Sequence, residues 1–403
     1  MFVSTLYHAS LAHAGMISPV SRNSIDRTLP AFLGGKSPVT PCTCANGLEK
    51  EFPGSLLSVA STGDGSCKAG ALRDVGGAGQ PCLWWSQGCS IGCATCATNL
   101  TRGKVPPGPI FGNPPHADKA GFRKSYCANP TTTSTLPREA WTMNVHAVEG
   151  SVTDSYRFNP WRAPGYAPVV DACGQAGGKY RDTVMGGDSS FTDTTYASHG
   201  DLGSVVLPKG PSAATWAAGS SVQVSWGIRY NHGGGYSYRL CPADDPRGLS
   251  EACFQDTPLD FDRTKQTLVW NNGTRFSMGD KAIFVTTGTF PAGSMWARNP
   301  IPRVADDMIG LANASSCPGP SGTSGPGCIQ FPAPCPGGGA RLPWSTDGSG
   351  QGECSGDWTL GVIEDTVLIP TGLAAGDYVL GWRWDCEETA QVWQNCADVT
   401  ITA

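Results

Sequence analysis

The sequence predicts an all-β protein, a single antiparallel β-sandwich with long, disulfide-rich loops. Three observations predict it. Glycine (53) and proline (32) make up about a fifth of the 403 residues, and both break helix interiors, which excludes a helical bundle or a coiled coil. Several segments alternate apolar and polar residues with a period of two, the mark of strands with one buried face. Seventeen cysteines are spread from Cys42 to Cys396, more than a reducing compartment tolerates as paired thiols.

Composition narrows the function classes. Charged residues are 15% of the chain and the net charge is −5, which argues against a nucleic-acid partner, because that affinity comes from clustered Lys and Arg. No apolar run reaches the ~18 residues that would span a bilayer. The 39% of apolar residues, with 13 Trp among them, suffices for one large core. A monomeric, secreted protein is the expectation, and three glycosylation sequons at Asn99, Asn272 and Asn313 agree with it.

Taken in chain order, residues 2–12 are mostly apolar and end in small residues, like the h-region and cleavage site of a signal peptide. The basic n-region is absent, so the expectation is a remnant over residues 1–12 of a chain truncated at its start. Cleavage after Ala12 follows Ser10-Leu-Ala12 and leaves His13 first. Cleavage after Ala14 follows Ala12-His-Ala14 and discards that histidine. Both cuts satisfy the small-x-small rule.

Next, Cys89-Ser-Ile-Gly-Cys93-Ala-Thr-Cys96 has a C-x3-C-x2-C spacing that resembles radical S-adenosylmethionine enzymes, whose three thiolates hold an iron–sulfur cluster. Glycine and proline surround it and no amphipathic helix follows, so a knot of disulfides is the expected reading. Residues 159–168 read as an extended, proline-stiffened loop.

Residues 221–232, Ser-Val-Gln-Val-Ser-Trp-Gly-Ile-Arg-Tyr-Asn-His, form the clearest strand. Val222, Val224, Trp226, Ile228, Tyr230 and His232 share one face, as expected of a half-buried strand. Gly233-Gly234-Gly235 ends it, and Tyr236, Tyr238 and Leu240 resume the alternation, which predicts a hairpin. His232 then stands at a rim of the sandwich. His116, His146 and His199 have weaker surroundings and read as structural or surface residues. Residues 313–356, with Cys317, Cys328, Cys335 and Cys354, read as a disulfide-pinned insertion rather than a domain. Two closing strands follow: 376–386, alternating through Tyr378, Leu380, Trp382 and Trp384, and 391–401, with Trp393, Ala397, Val399 and Ile401 on one face and Cys396 as a tether on the other.

Three motifs carry a family resemblance. They are His13-Ala-Gly-Met-Ile-Ser-Pro19-Val-Ser-Arg22-Asn23, Asn231-His-Gly-Gly-Gly-Tyr-Ser-Tyr-Arg-Leu-Cys241 and Gln391-Val-Trp393-Gln-Asn-Cys396-Ala-Asp398. Together the chain resembles lytic polysaccharide monooxygenases, most of all the chitin- and cellulose-active branch with animal members. The resemblance implies an immunoglobulin/fibronectin-like sandwich over residues 13–403 and a mature start at His13. It also implies copper held by the α-amine and ring of His13 and by the ring of His232. Trp393 would stand on the axial side where the family usually has Tyr or Phe, with Gln391 as a nearby hydrogen-bonding residue. An indole offers no oxygen ligand, so the axial side would be closed by bulk. The donor set is chemically sound. An α-amine with a pKa of ~7.7–8.0 loses its proton to a metal near neutral pH, and planar nitrogen donors favour Cu(II). Oxidative cleavage of an insoluble polysaccharide, fed by an external electron donor, is the function implied. A glycoside hydrolase, which needs two carboxylates at a defined separation, and a non-catalytic polysaccharide- or copper-binding module are the competing readings.

Overall fold

The computed structural model describes residues 13–29, 59–61, 67–69, 79–92, 96, 159–178, 191–270, 275–302, 304–305, 328–329, 331, 334, 361–387 and 389–403. The three sequons, His116, His146 and nearly all of the 313–356 insertion lie outside them; of that insertion, Cys328–Ile329 pairs antiparallel with Val304–Ala305. No helix among the described residues is long and apolar enough to cross a membrane.

The fold is a sandwich of two sheets. Its strands are β1 (His13–Ser18), β2 (Trp84–Gln87), β3 (Gln175–Ala176), β4 (Ala214–Ala217), β5 (Ser221–Tyr230), β6 (Gly235–Pro242), β7 (Asp260–Phe261), β8 (Thr267–Trp270), β9 (Arg275–Ser277), β10 (Phe284–Val285), β11 (Trp296–Arg298), β12 (Gly361–Leu368), β13 (Gly376–Asp385) and β14 (Gln391–Thr402). The six-stranded sheet runs β1–β5–β12–β8–β9, with β7 also on β12. The eight-stranded sheet runs β10–β11–β6–β13–β14–β2–β3, with β4 beside β14. The β4–β14 pair is parallel, an exception to the antiparallel expectation.

The alternating apolar residues of the two sheets meet in the middle. Trp226 of β5 lies 4.6 Å from the ring of Tyr236, 5.2 Å from Trp382 and 5.5 Å from Trp384, all three on the facing sheet. That contact overturns the hairpin expected at Gly233–Gly235. The chain does not turn back beside β5 but crosses to the other sheet, because the apolar faces of β5 and β6 point at each other rather than in the same direction. The crossing needs its glycines. Gly234 has φ +79°, and a Cβ there would sit 2.0 Å from the Asp385 carbonyl oxygen; at Gly235 a Cβ would sit 2.2 Å from the Trp161 ring.

The expected half-buried strands are corrected as well. Ser221 and Gln223 face solvent, but toward the crossing both faces of β5, β6, β13 and β14 are buried. Segment 159–173 and the short helix Glu251–Asp256 cover the outer face of the eight-stranded sheet. This segment is not simply extended, since Pro160–Arg162 forms a 3-10 turn with Trp161 fully buried. Under the cover lies a balanced set of charges. Arg383 binds Asp385 at 2.6 Å and Glu251 at 2.8 Å, donates to the Ala167 carbonyl at 2.9 Å, and shares Glu251 with Arg239. Burial alone would raise the pKa of Glu251, yet the two guanidinium groups hold it below its ordinary value.

Disulfides pin this cover. Cys173–Cys396 ties the covering segment to β14, the tether expected at Cys396, and Cys241–Cys253 ties the short helix to β6. Cys89–Cys96 closes the cysteine cluster. Two of the three thiols that an iron–sulfur cluster would need are therefore bonded to each other, and the disulfide reading stands.

A candidate metal centre at the sandwich rim

β1 is an edge strand that leans on both sheets. It pairs with β5 in the register His13↔Tyr230, Ala14↔Ile228 and Gly15↔Gly227, with a bulge between His13 and Ala14. On its other side the Met16 amide donates to Asn395 Oδ1 of β14 at 2.7 Å, and Gly15 packs against Asn395 and Cys82. The backbone of His13 is thus placed opposite Tyr230, two residues before His232. The His13 ring, and with it the expected meeting of two imidazoles, lies outside the described side chains.

His232 stands in the crossing between the sheets and is 1% exposed. Its carbonyl accepts the Glu387 amide at 3.1 Å. Its ring is anchored at Nδ1, which lies 2.9 Å from Thr389 Oγ1. A chain of buried polar side chains continues from there. Thr389 Oγ1 donates to Gln391 Oε1 at 3.0 Å, Gln391 Nε2 donates to Gln87 Oε1 at 3.0 Å, and Trp85 Nε1 donates to the same Gln87 oxygen at 2.8 Å.

The direction of every proton in this chain follows from its far end. An indole N–H can only donate, so the Gln87 atom that meets Trp85 is the oxygen. The Gln391 atom meeting that oxygen must then be the amide nitrogen, which turns the Gln391 oxygen to Thr389. The threonine hydroxyl gives its single proton to that oxygen and can only accept from His232. Hence His232 carries a proton on Nδ1, and in the neutral ring the lone pair is then on Nε2. A hydrogen bond from the second ring nitrogen, which fixes tautomer and orientation, is the usual support of a metal-binding imidazole.

Gln391, expected from the resemblance as a nearby hydrogen-bonding residue, reaches His232 through Thr389. Trp393, on the same face two residues on, is fully buried in the main core. It stacks on Trp85 at 4.5 Å and 27° and lies 6.4 Å from Trp384. Its described contacts are those of a packing side chain that backs the last member of the relay. Thr389, Gln87 and Trp85 were missed in the sequence. Thr389 and Gln391, two apart, carried a weak signal, because residues at i and i+2 of an extended segment share a face; Gln87 and Trp85, some 300 positions away, carried none.

His199 has a structural role, as expected. Its ring packs on Gly177, where a Cβ would lie 2.2 Å from Nε2, and near Phe191, while its amide donates to Asp193 at 2.8 Å. Among the described residues no three His, Cys, Asp or Glu side chains converge on one point.

No family model matches the chain. No curated protein matches it either. Solved structures match at a distance. One is a lytic polysaccharide monooxygenase of class AA15 from Thermobia domestica in its Cu(I) state, at 16% identity and a TM-score of 0.22, covering 49% of this chain and 66% of that one. A chitin-binding domain from Burkholderia pseudomallei follows at 15% and 0.21, covering 50% and 60%. The copper-bound, cellulose-active monooxygenase CelS2 follows at 12% and 0.20, covering 48% and 54%. The matched region thus spans less than two thirds of each of these chains.

Three buried carboxylates bear on the hydrolase reading. Burial raises Asp26 and Asp171 to about 6 and Asp365 to about 7. Each is enclosed: Asp26 by Gln80, Asp171 by Ser204 and the Cys173 amide, Asp365 by Tyr236 and Gln266. A raised pKa suits a general acid; Asp365 lies between the sheets, and Asp26 and Asp171 are, like His232, buried among the described residues.

Proposed function

We propose that this protein is a secreted, monomeric, copper-dependent monooxygenase that cleaves an insoluble polysaccharide of the chitin or cellulose type. The observation that carries the proposal is the relay Trp85–Gln87–Gln391–Thr389, which holds a proton on His232 Nδ1 and so, in the neutral ring, turns the lone pair to Nε2 near where β1 begins. His232 Nε2 would supply one nitrogen, and His13 at the start of the mature chain would supply its α-amine and ring. This nitrogen-rich set suits Cu(II). It has two metal-binding side chains, so it falls below any cluster of three.

Held there and reduced by an external electron donor, copper would supply the oxygen or peroxide activation needed to take a hydrogen atom from a sugar C–H bond. The chain's own residues do the positioning. Thr389 holds the His232 proton at Nδ1, Gln391 holds the Thr389 hydroxyl, and Trp393 fixes Trp85 and so the anchor of the relay. Oxidised-sugar analysis by mass spectrometry on chitin, cellulose and xylan tests the reading. Oxidised products that vanish on chelation and in His232→Ala support it; hydrolytic products that survive chelation reject it. The 1% exposure of His232 favours a second reading, a polysaccharide-binding module without turnover, whose signature is binding with no oxidised product.

A further inference from the structure

Among the described side chains almost every aromatic ring is turned inward. Two are exposed, Tyr166 (41%) and Phe290 (39%), and they touch each other, with ring centroids 5.3 Å apart and planes at 49°. They come from loops more than a hundred residues apart, so chain proximity does not explain the pairing.

Both loops are fastened to the end of the fold that carries His232. The Tyr166 loop starts at Asn159, whose side chain donates to the Glu387 carbonyl at 2.6 Å, while the Glu387 amide binds the His232 carbonyl. The Trp161 amide donates to the Cys386 carbonyl at 3.1 Å, and the Gly165 amide donates to the buried Asp385 carboxylate at 2.9 Å. The second loop is locked onto the first. The Phe290 amide donates to the Pro164 carbonyl at 2.8 Å, and Gly165, at φ +86°, lies so close that a Cβ would fall 2.0 Å from the Phe290 oxygen. Thr289 Oγ1 donates to the Ser294 carbonyl at 2.8 Å, closing the turn beneath Phe290. The backbone that carries the two rings is therefore held in place before any ligand arrives, which lowers the entropy lost on binding.

We infer that Tyr166 and Phe290 form a stacking subsite for an extended polysaccharide chain of equatorially linked pyranose rings. Such sugars present apolar C–H faces, and an aromatic face is their natural platform. With centroids 5.3 Å apart and planes at 49°, the two rings lean on each other and offer a sugar face one tilted apolar corner rather than two parallel platforms. The phenol adds a hydrogen-bonding edge at a wet surface. A protein partner fits poorly, since two half-exposed rings offer far less than the ~800 Å² per side of a stable interface. This inference rests on the polysaccharide-directed function proposed above, but not on copper chemistry.

The test is depletion binding of the full-length protein, stripped of metal by chelation, to microcrystalline cellulose and to β-chitin. Tyr166→Ala and Phe290→Ala should each weaken binding about three- to tenfold, and the double variant more. Tyr166→Phe and Phe290→Tyr should keep it, and Val205→Ala, an exposed apolar site elsewhere, should leave it unchanged. Thermal midpoints equal to wild type show that the variants fold; if the alanine variants melt lower, the conservative pair decides, and its loss of binding would overturn the subsite. Wild-type protein that binds neither polymer overturns it, as does a folded double variant that binds normally. A wild-type dimer that the double variant dissolves, with sugar binding unchanged, overturns it too. Binding through these rings with no oxidised sugar in the copper-loaded sample rejects the monooxygenase reading and upholds the subsite.

Discussion

Replacing Thr389 by valine should loosen His232 without disturbing the shape of the crossing. The two side chains are close to isosteric, so the change removes one hydroxyl. That hydroxyl serves two buried groups: it accepts from His232 Nδ1 at 2.9 Å and donates to Gln391 Oε1 at 3.0 Å. His232 is 1% and Gln391 2% exposed, so neither finds bulk water in exchange. A buried polar group left without its partner costs about 1–3 kcal/mol. Thr389 itself is 9% exposed and admits some relief, so the sum should fall near the lower end, about 2–3 kcal/mol. With the tautomer no longer fixed, copper affinity should drop about 10–100-fold. Three measurements check this. Histidine ¹⁵N shifts of metal-free wild type should show the His232 proton on Nδ1, and Thr389→Val should lose that preference. The thermal midpoint should fall by several degrees, and calorimetric copper titration should show the weaker binding. Thr389→Ser should restore all three. A valine variant with wild-type tautomer and affinity would refute the relay, and a serine variant as poor as valine would show that the methyl group matters instead.

The chain cut to begin at His13 should bind copper tightly and give a nitrogen-rich electron paramagnetic resonance signal. A chain keeping residues 1–12, or one starting at Gly15, should not, because only a free α-amine completes the chelate. Gly234→Ala should destabilise the fold by more than the ~1 kcal/mol of an ordinary glycine substitution, since φ +79° and the Asp385 carbonyl at 2.0 Å both oppose a Cβ; a thermal melt within a degree of wild type would contradict the described crossing. Asp26, Asp171 and Asp365, raised to about 6, 6 and 7, bind protons more tightly folded than unfolded. Their contribution is full below about pH 4 and lost as pH rises toward 7. The thermal midpoint should therefore fall from pH 5 to pH 8, and Asp365→Asn should flatten the upper part of that slope.

Strand positions were legible because the alternation of Val224, Trp226 and Ile228, and of Tyr378, Leu380, Trp382 and Trp384, is a local signal that burial enforces. The pairing of strands was not. A glycine-rich break between two alternating runs fits a hairpin and a sheet-to-sheet crossing equally well. What decides is whether the apolar faces pack side by side or face to face, and that depends on Trp382 and Trp384, about 150 residues away. The burial of the outer face was hidden for the same reason. Arg383 and Asp385 look like a solvent-facing pair in the sequence; they are buried because Glu251, Arg239 and segment 159–173 converge on them from distant positions.

The candidate site divides along the same line. His232 could be picked out at the end of its own strand and Gln391 from the family resemblance alone, yet neither segment reveals which ring nitrogen of His232 carries its proton. That property is set by Trp85, whose indole can only donate, and it passes through three side chains before it reaches the imidazole. Each link is an exchange of one donor for one acceptor, so inverting any link inverts the histidine. The fold opposes inversion at every step. Trp85 is stacked on Trp393, Gln87 and Gln391 face each other across β2 and β14, and Thr389 is held at the entry to β14. A side chain remote from the imidazole thereby selects the nitrogen through which His232 would act, and through it the large buried aromatics of this core would bear on the chemistry proposed at its rim.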